Sequence, residues 1–89
     1  MQDPKWNEQA QQMIDYIIHE VIRRPGVQIG EDTPLVSSGL MDSLALVNVL
    51  LKLEEITQMR IPAGKVQAKD MDTVNLMFAT AQRVGRRRK

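Results

Sequence analysis

Apolar positions along the chain fall into three helical stretches separated by two irregular ones. Trp6, Ala10, Met13, Ile14, Ile17, Ile18, Val21 and Ile22 recur at spacings of three and four, the period that gathers residues on one face of an α-helix. That spacing predicts a first helix of about sixteen residues, stopped by Pro25-Gly26. Val27 to Asp42 has no sustained period and reads as a long loop. It holds a local turn at Thr33-Pro34, where threonine caps and proline opens a turn of helix. A second helix is expected from Ser43 to about Gln58, with Asp42 as its N-cap, because that carboxylate accepts free N–H groups and complements the helix dipole. Ile61-Pro62 breaks the pattern, and Ala63 to Asp70 holds at most a short helix weakened by Gly64. Asp72 is the expected cap of a last helix with Val74, Met77, Phe78, Ala81 and Val84 on one face, ended by Gly85. There is no internal repeat and no strand-like alternation. The expected architecture is all-α, a small four-helix bundle of three main helices plus one short helix, with a long first loop. It spans residues 6–84, between a disordered N-terminus at 1–5 and a basic C-terminal tail at 85–89.

The second helix has two apolar groups on its wheel. Ala45, Leu46, Val49, Leu50, Leu53 and Ile56 form a broad stripe suited to a core. Leu44, Val47 and Leu51 form a narrower strip flanked by Asn48, Glu54, Glu55 and Gln58, and Ser43 lies beside it. An apolar strip rimmed by polar residues has the composition of a docking surface. Period alone equally allows a central helix buried on both sides. Ser43 decides for the first reading, because a first-turn hydroxyl needs solvent for any chemistry.

Composition narrows the chemistry. The 89 residues make one small domain, and 43% hydrophobic content supports a modest core. Six methionines against three aromatic residues make that core aliphatic and soft. With no cysteine there is neither a disulfide framework nor a thiolate metal site, which fits a cytoplasmic protein. The polar start carries no apolar signal region, and the densest apolar run, Leu44 to Leu51, is too short to span a membrane. Net charge is +1, but Arg86-Arg87-Arg88-Lys89 carry four positive charges, so the remainder sums to −3. The body is mildly acidic around the serine.

Enzyme equipment is missing. His19 sits toward the polar side of the first helix with no companion for a triad. Asp70 and Asp72 are a loop residue and a cap, not a metal pair, and no metal site is expected. Met41, beside Ser43, packs either against the loop or against a partner. What stands out is Gly39-Leu40-Met41-Asp42-Ser43-Leu44: a serine after a capping aspartate with nothing nearby to activate it, placed to be modified instead of to attack.

This stretch resembles the attachment motif of the acyl and peptidyl carrier protein family, whose core is Asp-Ser-Leu preceded by a glycine. The resemblance continues through Thr33-Pro34-Leu35, Leu53-Glu54-Glu55, Ile61-Pro62 and Met71-Asp72-Thr73-Val74, and covers roughly Trp6 to Val84 of a stand-alone carrier. It implies that a phosphopantetheinyl transferase esterifies Ser43 with 4′-phosphopantetheine from coenzyme A, importing the thiol that the chain lacks. It implies that Asp42 presents the serine, and that cargo rides the thiol as a thioester. It further implies weak, transient docking of a monomer to an acyl- or aminoacyl-activating ligase and to a downstream synthase or transferase through Leu44, Val47 and Leu51, and the candidate docking surface also takes in neighbouring Met41, Asn48, Glu54 and Glu55.

Departures from the family pattern point to a specialised pathway. Fatty-acid carriers generally line the second helix with acids, whereas Ala45, Asn48 and Lys52 stand on that side here, so steering by a basic partner is weaker. The segment from Ile61 to Val74 has the longer spacing of peptidyl and D-alanyl-type carriers. The alternative reading is a helical nucleic-acid-binding or protein-interaction module using the basic tail. A solvated tail is the simpler account of those four charges, and no interleaved aromatics support nucleic-acid binding.

Overall fold

The computed structural model describes the backbone of residues 4–23 and 26–87, and side chains from residue 8 onward within those ranges. Residues 1–3, Pro25 of the expected helix stop, the Trp6 side chain, Arg88 and Lys89 lie outside the described residues. Helix α1 runs Pro4–Tyr16, so it begins ahead of Trp6 and includes two positions expected to be disordered. It continues as a wider π-turn segment over Ile17–Ile22. Arg23 ends that segment in a left-handed conformation, its N–H donating to the Ile18 carbonyl five residues back at 2.9 Å. Ala10, Met13, Ile14 and Ile17 are buried and Ile18, Val21 and Ile22 half-buried, the single face that the period predicts.

Helix α2 spans Ser43–Thr57 and α3 spans Val74–Val84. Both pack against α1 and each other, closing a core of Met13, Ile17, Leu35, Val49, Leu53, Met71, Val74 and Met77. The segment between α2 and α3 forms two single 3₁₀ turns, Ala63–Lys65 and Ala68–Met71, instead of one short helix. The second turn is closed by a capping box, with the Asp70 carboxylate accepting the Gln67 N–H at 2.9 Å. The long loop also belongs to the core: Leu35 is fully buried and Ile29, Val36 and Leu40 pack against it.

Three features depart from the sequence expectation. Thr73, not Asp72, caps α3, its Oγ1 accepting the Leu76 N–H at 3.0 Å. Asp72 is already helical in φ and ψ at the end of the preceding turn, and its side chain serves the long loop. Second, two short strands exist: β1, Met59–Arg60, pairs antiparallel with β2, Arg86–Arg87, in the register Met59 to Arg87 and Arg60 to Arg86. Two-residue strands are too short to show an alternating pattern. Third, the start of the expected solvated tail is therefore tied back to the end of α2.

Gly85 makes that return possible. A side-chain carbon there would fall 2.3 Å from the Ala81 carbonyl oxygen and 2.8 Å from Met59 Cε. Only a residue without Cβ lets the chain leave α3 this close to its own last turn and to Met59.

Candidate functional site

The approach to Ser43 is built from the loop upward. Asp72 reaches from the start of α3 to the first turn of that loop. Its Oδ1 accepts the backbone N–H groups of Leu35 at 3.2 Å, Val36 at 2.8 Å and Ser37 at 2.9 Å, and its Oδ2 accepts the Ser37 hydroxyl at 3.0 Å. Donors converging on one carboxylate favour its charged form. The Ser37 backbone N–H contributes most, and the Ser37 hydroxyl and the Val36 and Leu35 N–H groups add to it. Together they outweigh the opposing desolvation and hold Asp72 below the ordinary aspartate value. A second tie joins loop to helix, since Asn75 donates from its backbone to the Glu31 carbonyl at 3.0 Å and from its side chain to Asp32 at 2.7 Å.

From this anchored turn the chain reaches the serine in a few residues. The Ser38 hydroxyl donates to the Pro34 carbonyl at 2.7 Å, and Gly39 bends the chain at φ +83°, a left-handed conformation that favours glycine. Met41 then turns inward, only 3% exposed, with its N–H on the Leu35 carbonyl at 2.9 Å. Asp42 follows in extended conformation as the N-cap of α2, its Oδ1 accepting the Ala45 N–H at 2.8 Å. Ser43 is the first helical residue and is exposed. Among the described residues nothing hydrogen-bonds its hydroxyl, and no group of three or more His, Cys, Asp or Glu side chains could hold a metal ion. The arrangement is an unactivated hydroxyl on a rigid pedestal.

Helix α2 carries the two faces on opposite sides. Val49 and Leu53 are buried, with Ala45, Leu46, Leu50 and Ile56 half-buried around them, while Leu44, Val47 and Leu51 are 75%, 57% and 58% exposed. A helix buried on both sides is therefore excluded. Asn48 is exposed beside this strip.

Several residues assigned to docking from the sequence sit otherwise. Met41 is buried in the core, with its N–H held by the Leu35 carbonyl. Glu54 is half-buried and accepts the Ile61 N–H at 2.7 Å, which fixes the chain leaving α2. Glu55 is exposed and ion-paired to Lys52 at 3.1 Å. Lys52 in turn lies over the Tyr16 ring, 5.3 Å from its centre. Ala45, read as an exposed neutral position, is half-buried. His19 is exposed in a shallow groove with Gln12, Asp15 and Lys52.

Two hollows flank the site, and the sequence pattern shows neither. A mostly apolar groove of about 160 Å³ lies between α2 and the 3₁₀ turns, lined by Leu46, Val47, Leu50, Val66 and Met71 among others. A more polar one of about 280 Å³ lies toward α1, bordered by Glu20, Arg23, Asp42, Leu44 and Asn48. Both depend on how segments distant in sequence come together. No helix is long and apolar enough to cross a membrane among the described residues.

A family model described as "Phosphopantetheine attachment site" matches residues 14–76, well over half of the chain. Comparison with curated proteins and with solved structures returns no match.

Proposed function

The chain belongs to the phosphopantetheine attachment-site family, and from that membership we propose that it is a non-catalytic carrier bearing 4′-phosphopantetheine on Ser43. Such a domain is the site of covalent attachment of this prosthetic group. The observation that carries the assignment to Ser43 is its position. It is exposed at the first turn of a capped helix, inside the matched region, with no hydrogen bond to its hydroxyl among the described residues. In the attachment step the Ser43 oxygen bonds to the phosphorus of coenzyme A that carries the pantetheine. The bond from that phosphorus to the nucleotide phosphate breaks, 3′,5′-ADP leaves, and the hydroxyl proton passes to a base on the transferase. Asp42 contributes by capping, which fixes the direction of the helix start and hence of the serine. Once attached, the group supplies a thiol on a flexible arm.

Shuttling follows from the same surface. Leu44, Val47 and Leu51 offer partners an apolar strip running away from the attachment point. An area this small suits the weak, quickly reversible contacts that a shuttle requires. The partners are a phosphopantetheinyl transferase, an acyl- or aminoacyl-activating ligase and a downstream synthase or transferase, all met in the cytoplasm. The neutral exposed side of α2 supports a specialised pathway over housekeeping fatty-acid synthesis. So does the small apolar groove beside Val47, close in volume to the cavity of about 150 Å³ that admits a benzene-sized guest. That size suits a small acyl or aminoacyl cargo.

The direct test is intact-mass measurement after incubation with coenzyme A and a broad-specificity transferase, followed by peptide mapping. The wild-type chain gains one phosphopantetheine at Ser43. Ser43→Ala keeps its helical spectrum and gains nothing. Absence of a mass gain in the wild type, or a gain on another residue, overturns the assignment.

A further inference from the structure

The acids of α2 are spent within the chain. Glu54 is held by the Ile61 N–H and Glu55 by Lys52, at 2.7 and 3.1 Å. Asp42 is committed to the Ala45 N–H. Each of these carboxylates thus has an internal partner, although the Glu55 side chain stays 69% exposed, so α2 offers a basic patch little unpaired negative charge.

At the far end of the same helix the charge is of opposite sign and unspent. Gln58 ends α2 in a left-handed conformation and leads directly into β1, and Gly85 lets β2 fold back against it. Arg60, Arg86 and Arg87 are thereby gathered on one two-stranded ribbon, all exposed and without an ion pair among the described residues. Arg60 stands directly opposite Arg86, a like-charge cross-strand pair that is unfavourable unless an anion lies between or across it. Folding has thus concentrated positive charge where a solvated tail would have dispersed it.

We propose that this ribbon is a docking surface for an acidic patch on the partner enzyme that engages the exposed strip of α2. The inference rests on the carrier reading and gives recognition a polarity opposite to that of acid-rich carriers. Guanidinium groups are suited to this, since their planar fork pairs with carboxylates in two parallel hydrogen bonds. A protein partner is favoured over nucleic acid because, among the described residues, no exposed aromatic ring lies near the ribbon for base stacking: Phe78 is buried and Tyr16 sits beneath Lys52. It is favoured over a membrane because, among the described residues, the exposed large apolar side chains, Leu44, Val47, Leu51 and Leu76, belong to α2 and the first turn of α3, while Met59, the apolar residue of the ribbon, is half-buried. The ribbon follows α2 directly after Gln58, so it lies at the C-terminal end of the helix that carries the strip.

The test is an NMR titration of the ¹⁵N-labelled chain with three probes: an octaglutamate peptide, phosphatidylcholine–phosphatidylglycerol vesicles and a short DNA duplex. The peptide shifts the amides of residues 59–60 and 86–87. Its affinity falls roughly tenfold between low and physiological salt, and by as much in Arg60→Gln/Arg86→Gln/Arg87→Gln. Lys65→Gln/Lys69→Gln, which removes two exposed charges elsewhere, leaves it unchanged. The proposal is overturned by equal affinity in the triple variant, by shifts centred away from the ribbon, or by vesicles or DNA binding more tightly than the peptide. Mass gain at Ser43 is measured on the same samples. A failed titration with normal mass gain removes the ribbon proposal alone, whereas loss of mass gain removes the carrier reading.

Discussion

Leu51 and Leu53 lie two positions apart on α2, and the structure gives them opposite fates under the same substitution. Leu53 is fully buried and Leu51 is 58% exposed. Leu53→Ala removes a core side chain and leaves a cavity, a change that costs about 2.7–5.0 kcal/mol in comparable sites. Marginal stability of roughly 0.05–0.15 kcal/mol per residue gives a chain of this length only about 4–13 kcal/mol in total. The substitution therefore removes a large share of it. With a urea slope near about 1 kcal/mol per molar, expected for so small a domain, the midpoint falls by about 3 M or the chain unfolds without denaturant. Leu51→Ala should stay within about 0.5 kcal/mol of wild type, with alanine's helix propensity offsetting the little burial lost. In its folded state it should load phosphopantetheine or cargo more slowly, by roughly tenfold for a partner that buries this side chain. Urea unfolding followed by circular dichroism measures the first pair of values, and timed intact-mass assays measure the second. A midpoint loss in Leu51→Ala more than half that of Leu53→Ala would refute the two-faced reading of α2.

Val47→Arg should fold with an unchanged melting temperature, since the position is exposed, while slowing transfer to downstream partners. A collapsed melt would place Val47 in the core. Gly85→Ala puts a carbon against the Ala81 carbonyl and Met59 and should cost about 1–3 kcal/mol by overpacking. Loss of the amide signatures of the β1–β2 pairing checks it; a retained ribbon at full stability contradicts it. Asp72 has its carboxyl lowered in the folded state. Its contribution is accordingly complete above the unfolded aspartate value of about 3.9 and lost only as pH falls through the lower folded value. Following the Val36 and Ser37 amide shifts into acid should show a midpoint below about 3.9, and a midpoint above it would disprove the carboxylate's role in holding the loop.

Much of the site was legible because its signals are local. Asp42 announces the cap and Ser43 the helix start, while the three-and-four spacing of Leu44, Val47 and Leu51 sets the strip apart from Val49 and Leu53. Each depends on residues within about two turns of helix, where backbone geometry alone fixes relative position. Met41 and Glu54 are less exposed than the helix pattern suggests because each is tied to a segment outside α2. Leu35 draws Met41 inward, and the N–H of Ile61 draws Glu54 away from solvent. The duty of Asp72 was hidden because its donors lie more than thirty positions earlier in the chain.

The sequence by itself determined the three helices, the capped serine and the apolar strip beside it, because helical period and capping are short-range consequences of residue type. Only the tertiary structure decided which charges remain available to a partner. Hydrogen bonds and ion pairs formed on folding occupy Glu54, Glu55 and Asp72, whereas the return of Arg86 and Arg87 onto Met59 and Arg60 concentrates positive charge that nothing in the described chain neutralises. Free charge is what remains after internal pairing: the Glu55–Lys52 pair is local to one turn of α2, whereas the Asp72 loop contacts and the Arg60–Arg86 juxtaposition join segments distant in sequence.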